Sequence, residues 1–269
     1  MSNPIKTAQE TVDVIKDVMS LAGETPELKD AGSNLAKSAK TITGIVNNCL
    51  MPIAAVNFAF DKGRQYFDER FSDDLQDATK TIPEDNLVEP KASIAAPVLE
   101  GLGFSHEEQS LKDLYLKLLS SAMDGRSPSL AHPSFAEIIK QLSADEAGLI
   151  GLLFKSAIRS FPIVTLNEKA DPDRGYRTRY KHLFFLNDSS SGDPVEIDNF
   201  PAMLDNWQRL GLIEIDYLSQ LTGENEYDCV EKRPEYLRLK AEIGLDKLVV
   251  KKGVLEKTAF GENFAKAVI

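Results

Sequence analysis

Residues 111–154 read LKDLYLKLLSSAMDGRSPSLAHPSFAEIIKQLSADEAGLIGLLF, and helix starts and stops are spelled out within them. Leu111, Leu114, Tyr115, Leu118, Leu119 and Ala122 recur at helical spacing and form one apolar stripe that ends at Asp124-Gly125. His132-Pro133 then opens a second helix, with Phe135, Ile138, Ile139 and Leu142 facing inward. Ser143-Ala144-Asp145-Glu146 is a capping box that starts a third, through Leu149, Leu152, Leu153 and Phe154. Just upstream, Ser105-His106-Glu107-Glu108 has the same S-x-x-E form and is expected to cap the first helix. The centre of the chain is therefore expected to be all-helical.

Working outward, Asn3-Pro4 and the spacing of Val12, Ile15, Val18, Met19 and Ala22 predict an N-terminal helix stopping near Gly23. Leu28, Ala31, Leu35, Ala39 and Ile42 sketch a second. Thr41–Phe60, TITGIVNNCLMPIAAVNFAF, has no charge and approaches the roughly 20 residues a bilayer span needs. Asn47, Asn48, Pro52 and Asn57 favour a buried core helix. Lys37, Lys40, Lys62 and Arg64 flank the stretch and keep a membrane-active segment open, with Ile45, Val46, Leu50, Ile53, Val56, Phe58 and Phe60 as its apolar residues. Tyr66, Phe67 and Phe71 continue an apolar face. The organisation expected is an N-terminal helical region over 1–72, a linker or irregular segment over 73–104 marked by Pro83, Pro90 and Pro97, and a core over 105–269.

The last third changes character. Strands are expected at Phe161–Leu166 and Arg179–Leu186, a polar loop over 187–193, a helix from Phe200 ending at Gly211, and a strand over Leu212–Tyr217. A closing strand and a Thr258-capped helix follow, with Phe260, Phe264 and Val268 inward. This order resembles a winged-helix module whose wing is enlarged by a helix near Pro234–Ile243, with Trp207 and Leu210 in its core. The fold class expected is mainly α: helical N-terminal and central regions followed by a winged-helix-like α+β C-terminal module.

Net charge is −11, with 31 Lys+Arg against 42 Asp+Glu, which argues against a protein that depends on neutralising phosphates. The two cysteines, Cys49 and Cys229, lie far apart in no metal-spaced pair and read as reduced packing thiols. The first residues lack the apolar core of a signal peptide, so cytoplasmic residence is expected. There is no phosphate loop, no H-E-x-x-H and no G-x-S-x-G elbow, and Gly101-Leu102-Gly103 reads as a turn rather than a dinucleotide site. No cofactor, metal or catalytic residue is expected; His106 and His132 have local structural duties, and Asp113, Asp124, Glu137, Asp145 and Glu146 belong to helix termini and exposed faces. The exception to the acidic balance is residues 174–182, RGYRTRYKH, where Arg177, Arg179 and Lys181 are candidates for nucleic-acid or phosphate contact. The same pattern suits a solvated edge strand guarded by cations.

Leu118–Asp124 (LLSSAMD), His132–Phe135 (HPSF), Glu137–Ser143 (EIIKQLS) and Asp145–Ala147 (DEA) together resemble the abortive-infection alpha family of bacterial phage-defence proteins. Leu204–Ile213 and Leu255, Thr258, Gly261 and Phe264 extend the likeness over roughly the last two thirds of the chain. The resemblance implies antiviral defence by growth arrest or death of the infected cell, and brings no catalytic residue with it. The expected mode is a non-enzymatic one, interaction with another protein (a phage trigger or a defence partner), as a homo-oligomer, with the 41–60 segment as a membrane-perturbing element. The alternative from another class is a winged-helix regulator that binds nucleic acid through Arg177, Arg179 and Lys181.

Overall fold

A computed structural model describes residues 57–171, 175–188 and 190–269. The expected helices before Gly23 and near 28–42, and Ile45, Val46, Leu50, Ile53 and Val56 of the uncharged stretch, lie outside those residues; Phe58 and Phe60 fall in the first described helix. The chain divides into two compact units, one ending at Ala147 and one beginning at Gly148.

The first unit is helical: α1 (Asn57–Glu69), α2 (Phe71–Thr79), α3 (Ala92–Ser105), α4 (Gln109–Met123) and α5 (Pro133–Lys140). α3 is its central member and packs on α1, α4 and α5. Close approach depends on two glycines. A Cβ on Gly101 would lie 2.2 Å from the Tyr115 ring, and one on Gly63 would lie 2.7 Å from the Gly103 carbonyl oxygen. Gly101 and Gly103 therefore serve helix packing inside α3, which corrects the expected turn. The core holds Tyr66, Phe71, Val98, Leu99, Leu102, Leu118, Leu119, Phe135 and Ile139, all nearly sealed from solvent.

Residues 73–104, expected as a linker or irregular crossing, carry most of α2, a 3-10 turn at Glu84–Asn86 and α3. Pro97 sits inside α3, where it removes one backbone donor while the neighbouring apolar residues stay buried. The capping box expected at Ser105 is likewise corrected. Ser105 is the last residue of α3 and α4 begins at Gln109 without a side-chain cap, while Glu107 pairs with Lys62 at 2.7 Å. A serine can cap only where the preceding chain is not itself helical. By contrast His132 caps α5, its Nδ1 accepting from Ser134 N–H at 3.2 Å. The Ser143 box is reciprocal: Ser143 N–H donates to Glu146 Oε2 at 2.8 Å, and Glu146 N–H to Ser143 Oγ at 3.2 Å.

Helix α6 (Ala144–Lys155) leads into the second unit, which continues as β1 (Ser160–Asp171), β2 (Gly175–Phe184), α7 (Phe200–Arg209), β3 (Ile213–Asp216), α8 (Pro234–Ile243), β4 (Leu248–Lys257) and α9 (Ala259–Val268). The four strands form one antiparallel sheet in the order β2-β1-β4-β3. With nine α-helices and this sheet among the described residues, the class is α+β, which corrects the mainly α expectation. The sheet is larger than the sequence pattern suggests because β1 is buried continuously from Ile163 to Asn167, without the alternation that marks a one-faced strand. On one face Val164 and Leu166 meet Tyr227, Val230, Tyr236 and Leu239 from the stretch between β3 and β4. Strand β2 lies at the sheet's edge. Thr258 caps α9 as expected, accepting from Gly261 N–H at 2.8 Å. Phe260, expected inward, is 39% exposed.

Candidate functional site

The basic run of β2 holds the feature that stands out from a plain strand. Val164 pairs with Leu183 and Leu166 with Tyr180, so Thr165 of β1 faces two residues of β2, Lys181 and His182. That is a β-bulge, and His182 takes φ 53°, left-handed backbone that a residue with a Cβ rarely adopts. The bulge puts the imidazole inside, 4% exposed, whereas a regular strand would leave it to the local alternation.

Two other elements converge on that ring. Asp205 of α7 brings Oδ1 to 3.1 Å from His182 Nε2, and Tyr217, just past β3, brings Oη to 2.9 Å from Nδ1. Because Asp205 only accepts, Nε2 carries the proton and Nδ1 accepts from the Tyr217 hydroxyl. The Tyr217 ring lies nearly parallel to the imidazole, centroids 5.8 Å apart, with Lys251 Nζ 5.6 Å from its centroid on β4. Gly253 makes room for the phenol, since a Cβ there would fall 2.5 Å from it. Lys181 Nζ shares Asp205 Oδ1 at 2.8 Å.

Burial pushes His182 below its ordinary pKa, Lys181 adds to this and Asp205 opposes it. Burial works against Asp205 ionising, but hydrogen bonds from Lys181 and His182 hold its carboxyl below the usual range. Burial raises the Tyr217 phenol. A neutral imidazole thus bridges a carboxylate and a protonated phenol. The chain Tyr217–His182–Asp205 fixes the bulge to α7 and to the end of β3, and it can relay a proton between the phenol and the carboxylate.

Of the cations expected to meet phosphate, Arg179 donates to Glu168 at 2.8 Å and Glu242 at 2.6 Å, and Lys181 is held by Asp205; Arg177 is exposed on the same edge. The sequence reading passed over Arg233, which is 3% exposed at the start of α8. It forks onto Glu235 at 3.1 and 2.8 Å and donates to the carbonyls of Leu186 and Val195, both at 2.8 Å. Its only signal in the sequence is the R-P-E triplet at a helix start. Lys257 is also buried, its Nζ donating to the Ser156 carbonyl at 2.6 Å beside the rings of Phe154 and Phe161; burial lowers its pKa. Among the described residues no group of three or more His, Cys, Asp or Glu could hold a metal ion, and no helix is long and apolar enough to cross a membrane.

The pattern of the abortive infection alpha family matches residues 63–268, spanning both units. The chain belongs to that family. No curated protein and no solved structure matches it. The stretches that carry the likeness to the abortive infection alpha family are caps and core here: the end of α4, the His132 cap, the Ser143 box, and the Thr258–Gly261 turn into α9. Membership points to a role in abortive-infection defence.

Proposed function

We propose that this member of the family defends by binding another protein, a phage component or a defence partner, through the insertion between β3 and β4. The observation that carries the reading is the insertion's unequal faces. Tyr227, Val230, Tyr236 and Leu239 close the sheet, while Leu218, Leu237 and Leu245 stand 97%, 51% and 59% exposed. Single exposed leucines are ordinary; three on one insertion, whose packing residues are already satisfied, suit partner contact.

The test is a Leu218→Asp, Leu237→Asp, Leu245→Asp variant in plaque assays, beside a thermal melt. Loss of protection at unchanged melting temperature is expected, together with loss of crosslinking to the same partner that the parent captures during infection. Full protection by the folded variant overturns the reading. The nucleic-acid alternative has a weaker footing, because Arg179 and Lys181 are engaged by carboxylates. The membrane-perturbing role rests on residues 41–60 alone.

A further inference from the structure

A groove of about 440 Å³ opens in the first unit, where the last turns of α3 and α5 meet the start of α4. Leu111, Ile139 and Leu142 contribute apolar lining, and the Phe104 ring beside them is 53% exposed. Its charged residues are Glu100, Glu108 and Lys140. Lys140 reaches Glu100 at 3.2 Å, which leaves Glu108 as a carboxylate with no ion-pair partner among the described residues. The two helix C-termini act in the same sense, because the last carbonyls of a helix carry partial negative charge and favour a cation. The groove therefore joins apolar surface to a net negative potential.

A second, independent observation lies at the Tyr115 hydroxyl. Tyr115 lines the groove and is 1% exposed, and its hydroxyl has no hydrogen-bond partner among the described residues. A buried polar side chain without a partner is uncommon and costly. This oxygen is not sealed as Trp207 Nε1 is, so the little of Tyr115 that solvent touches includes it. It lies beside Gly101, also in the lining, where a Cβ would fall 2.4 Å from the hydroxyl oxygen. Burial pushes the phenol's pKa up and the charges of Glu137 and Glu100 push it further, so the hydroxyl stays neutral within the same negative field.

We propose that the groove binds a small primary ammonium with an aromatic or aliphatic body. Its N–H groups donate to the Glu108 carboxylate and the Tyr115 oxygen, and its body covers Phe104, Leu111 and Leu142. Carboxylate, phenol oxygen and helix carbonyls are all acceptors, which selects an N–H donor over an anion, and the exposed Phe104 ring adds a cation–π contribution. A concave site of this volume suits a small molecule. It belongs to the first unit and the insertion to the second, so this proposal and the protein-binding reading stand or fall separately.

The full chain is titrated by calorimetry at low salt with phenethylammonium, phenethyl alcohol and phenylacetate, which share a body and differ in the head group. Saturable binding of the ammonium is expected, about tenfold tighter than the alcohol, with no binding of the carboxylate. Glu108→Gln, at an exposed position, is expected to remove the preference for ammonium over alcohol. Tyr115→Phe removes an oxygen that has no partner in the free protein, so it is expected to melt as the parent does and to weaken ammonium binding about fivefold. If that variant does not fold, Glu108→Gln decides alone. Lys140→Ala frees Glu100 and is expected to tighten ammonium binding. An ammonium bound no better than the alcohol, or no saturation at millimolar concentration, overturns the proposal. So does an ammonium affinity that either Glu108→Gln or folded Tyr115→Phe leaves unchanged, since the cation is then held by the acidic chain at large.

Discussion

Gly261 is where a single methyl group has the largest consequence. It lies one turn into α9, and a Cβ there would sit 2.1 Å from the Leu212 carbonyl oxygen, 2.8 Å from its carbon and 2.9 Å from the Phe154 ring. The ring can rotate, but the carbonyl cannot, since it accepts from Thr258 N–H at 3.1 Å. Relieving the clash in Gly261→Ala moves the start of α9 off β3 by about 1 Å, a typical overpacking cost of about 1–3 kcal/mol. The same movement strains the cap in which Gly261 N–H donates to Thr258 Oγ1, for about 1 kcal/mol more. Against this, alanine in a helix gains about 1 kcal/mol over glycine. The net is a loss of about 2 kcal/mol, or about 4–8 °C in melting temperature for a chain of this size. Urea unfolding followed by the fluorescence of Trp207, in the same unit, measures it directly. Gly148→Ala is the matched control, because nothing lies within 4 Å of its added Cβ on α6, and it is expected to stabilise by about 0.5–1 kcal/mol. A Gly261→Ala chain as stable as the parent, with Gly148→Ala behaving as stated, refutes the reasoning from close approach.

Other consequences follow from the same geometry. Arg233→Ala strands the buried Glu235 carboxylate and two carbonyls without their donor, for a loss of about 3–5 kcal/mol in chemical denaturation; a loss under 1 kcal/mol means the fork does not hold the insertion. Ser143→Ala removes the acceptor at the N-terminus of α6 and is expected to lower stability by about 1 kcal/mol, with an unchanged melt counting against the box. Native His182 is held below the ordinary histidine value of about 6.5, so as pH falls the unfolded chain binds its proton first and the native state loses stability until His182 itself titrates. His182→Asn tolerates the left-handed backbone and cannot titrate, so its stability deficit against the parent narrows from pH 7.5 to pH 5; parallel curves contradict the assignment. Alanine at Arg179 and Lys181 together leaves any low-salt retention of DNA unchanged if these cations serve carboxylates, whereas a lost mobility shift restores the nucleic-acid reading.

What was legible in the sequence was whatever is settled within four residues. The His132, Ser143 and Thr258 caps hold because donor and acceptor are set two or three positions apart whatever packs above them. Ser105 had the same letters and failed, because α3 runs on past Pro97 and occupies the serine from the other side. The His182 site was beyond reach for a different reason. Its members, 182, 205 and 217, come from a strand, a helix and a strand end, and a bulge turns the ring inward; spacing encodes neither. The one hint was a histidine within a run of cations, which an exposed edge explains equally well.

All four strands of the sheet were legible; what was not is that β1 runs on past Leu166 to Asp171 and that its middle is buried on both faces. A strand covered on one face alternates; β1 does not, because α7 packs on one side of the sheet and residues 217–247 on the other. Read as an enlarged wing, that stretch should hang from β3 and β4 with little to bury. Instead Tyr227 donates to the Gly253 carbonyl and accepts from Leu221 N–H, both at 2.9 Å, and Arg233 ties α8 to the segment after β2. The insertion is therefore a wall of the second unit, with an inner surface set by the sheet. Only its outer residues are free of that duty, which is why substitutions at Leu218, Leu237 and Leu245 test the proposed binding apart from folding where substitutions at Tyr236 or Leu239 cannot.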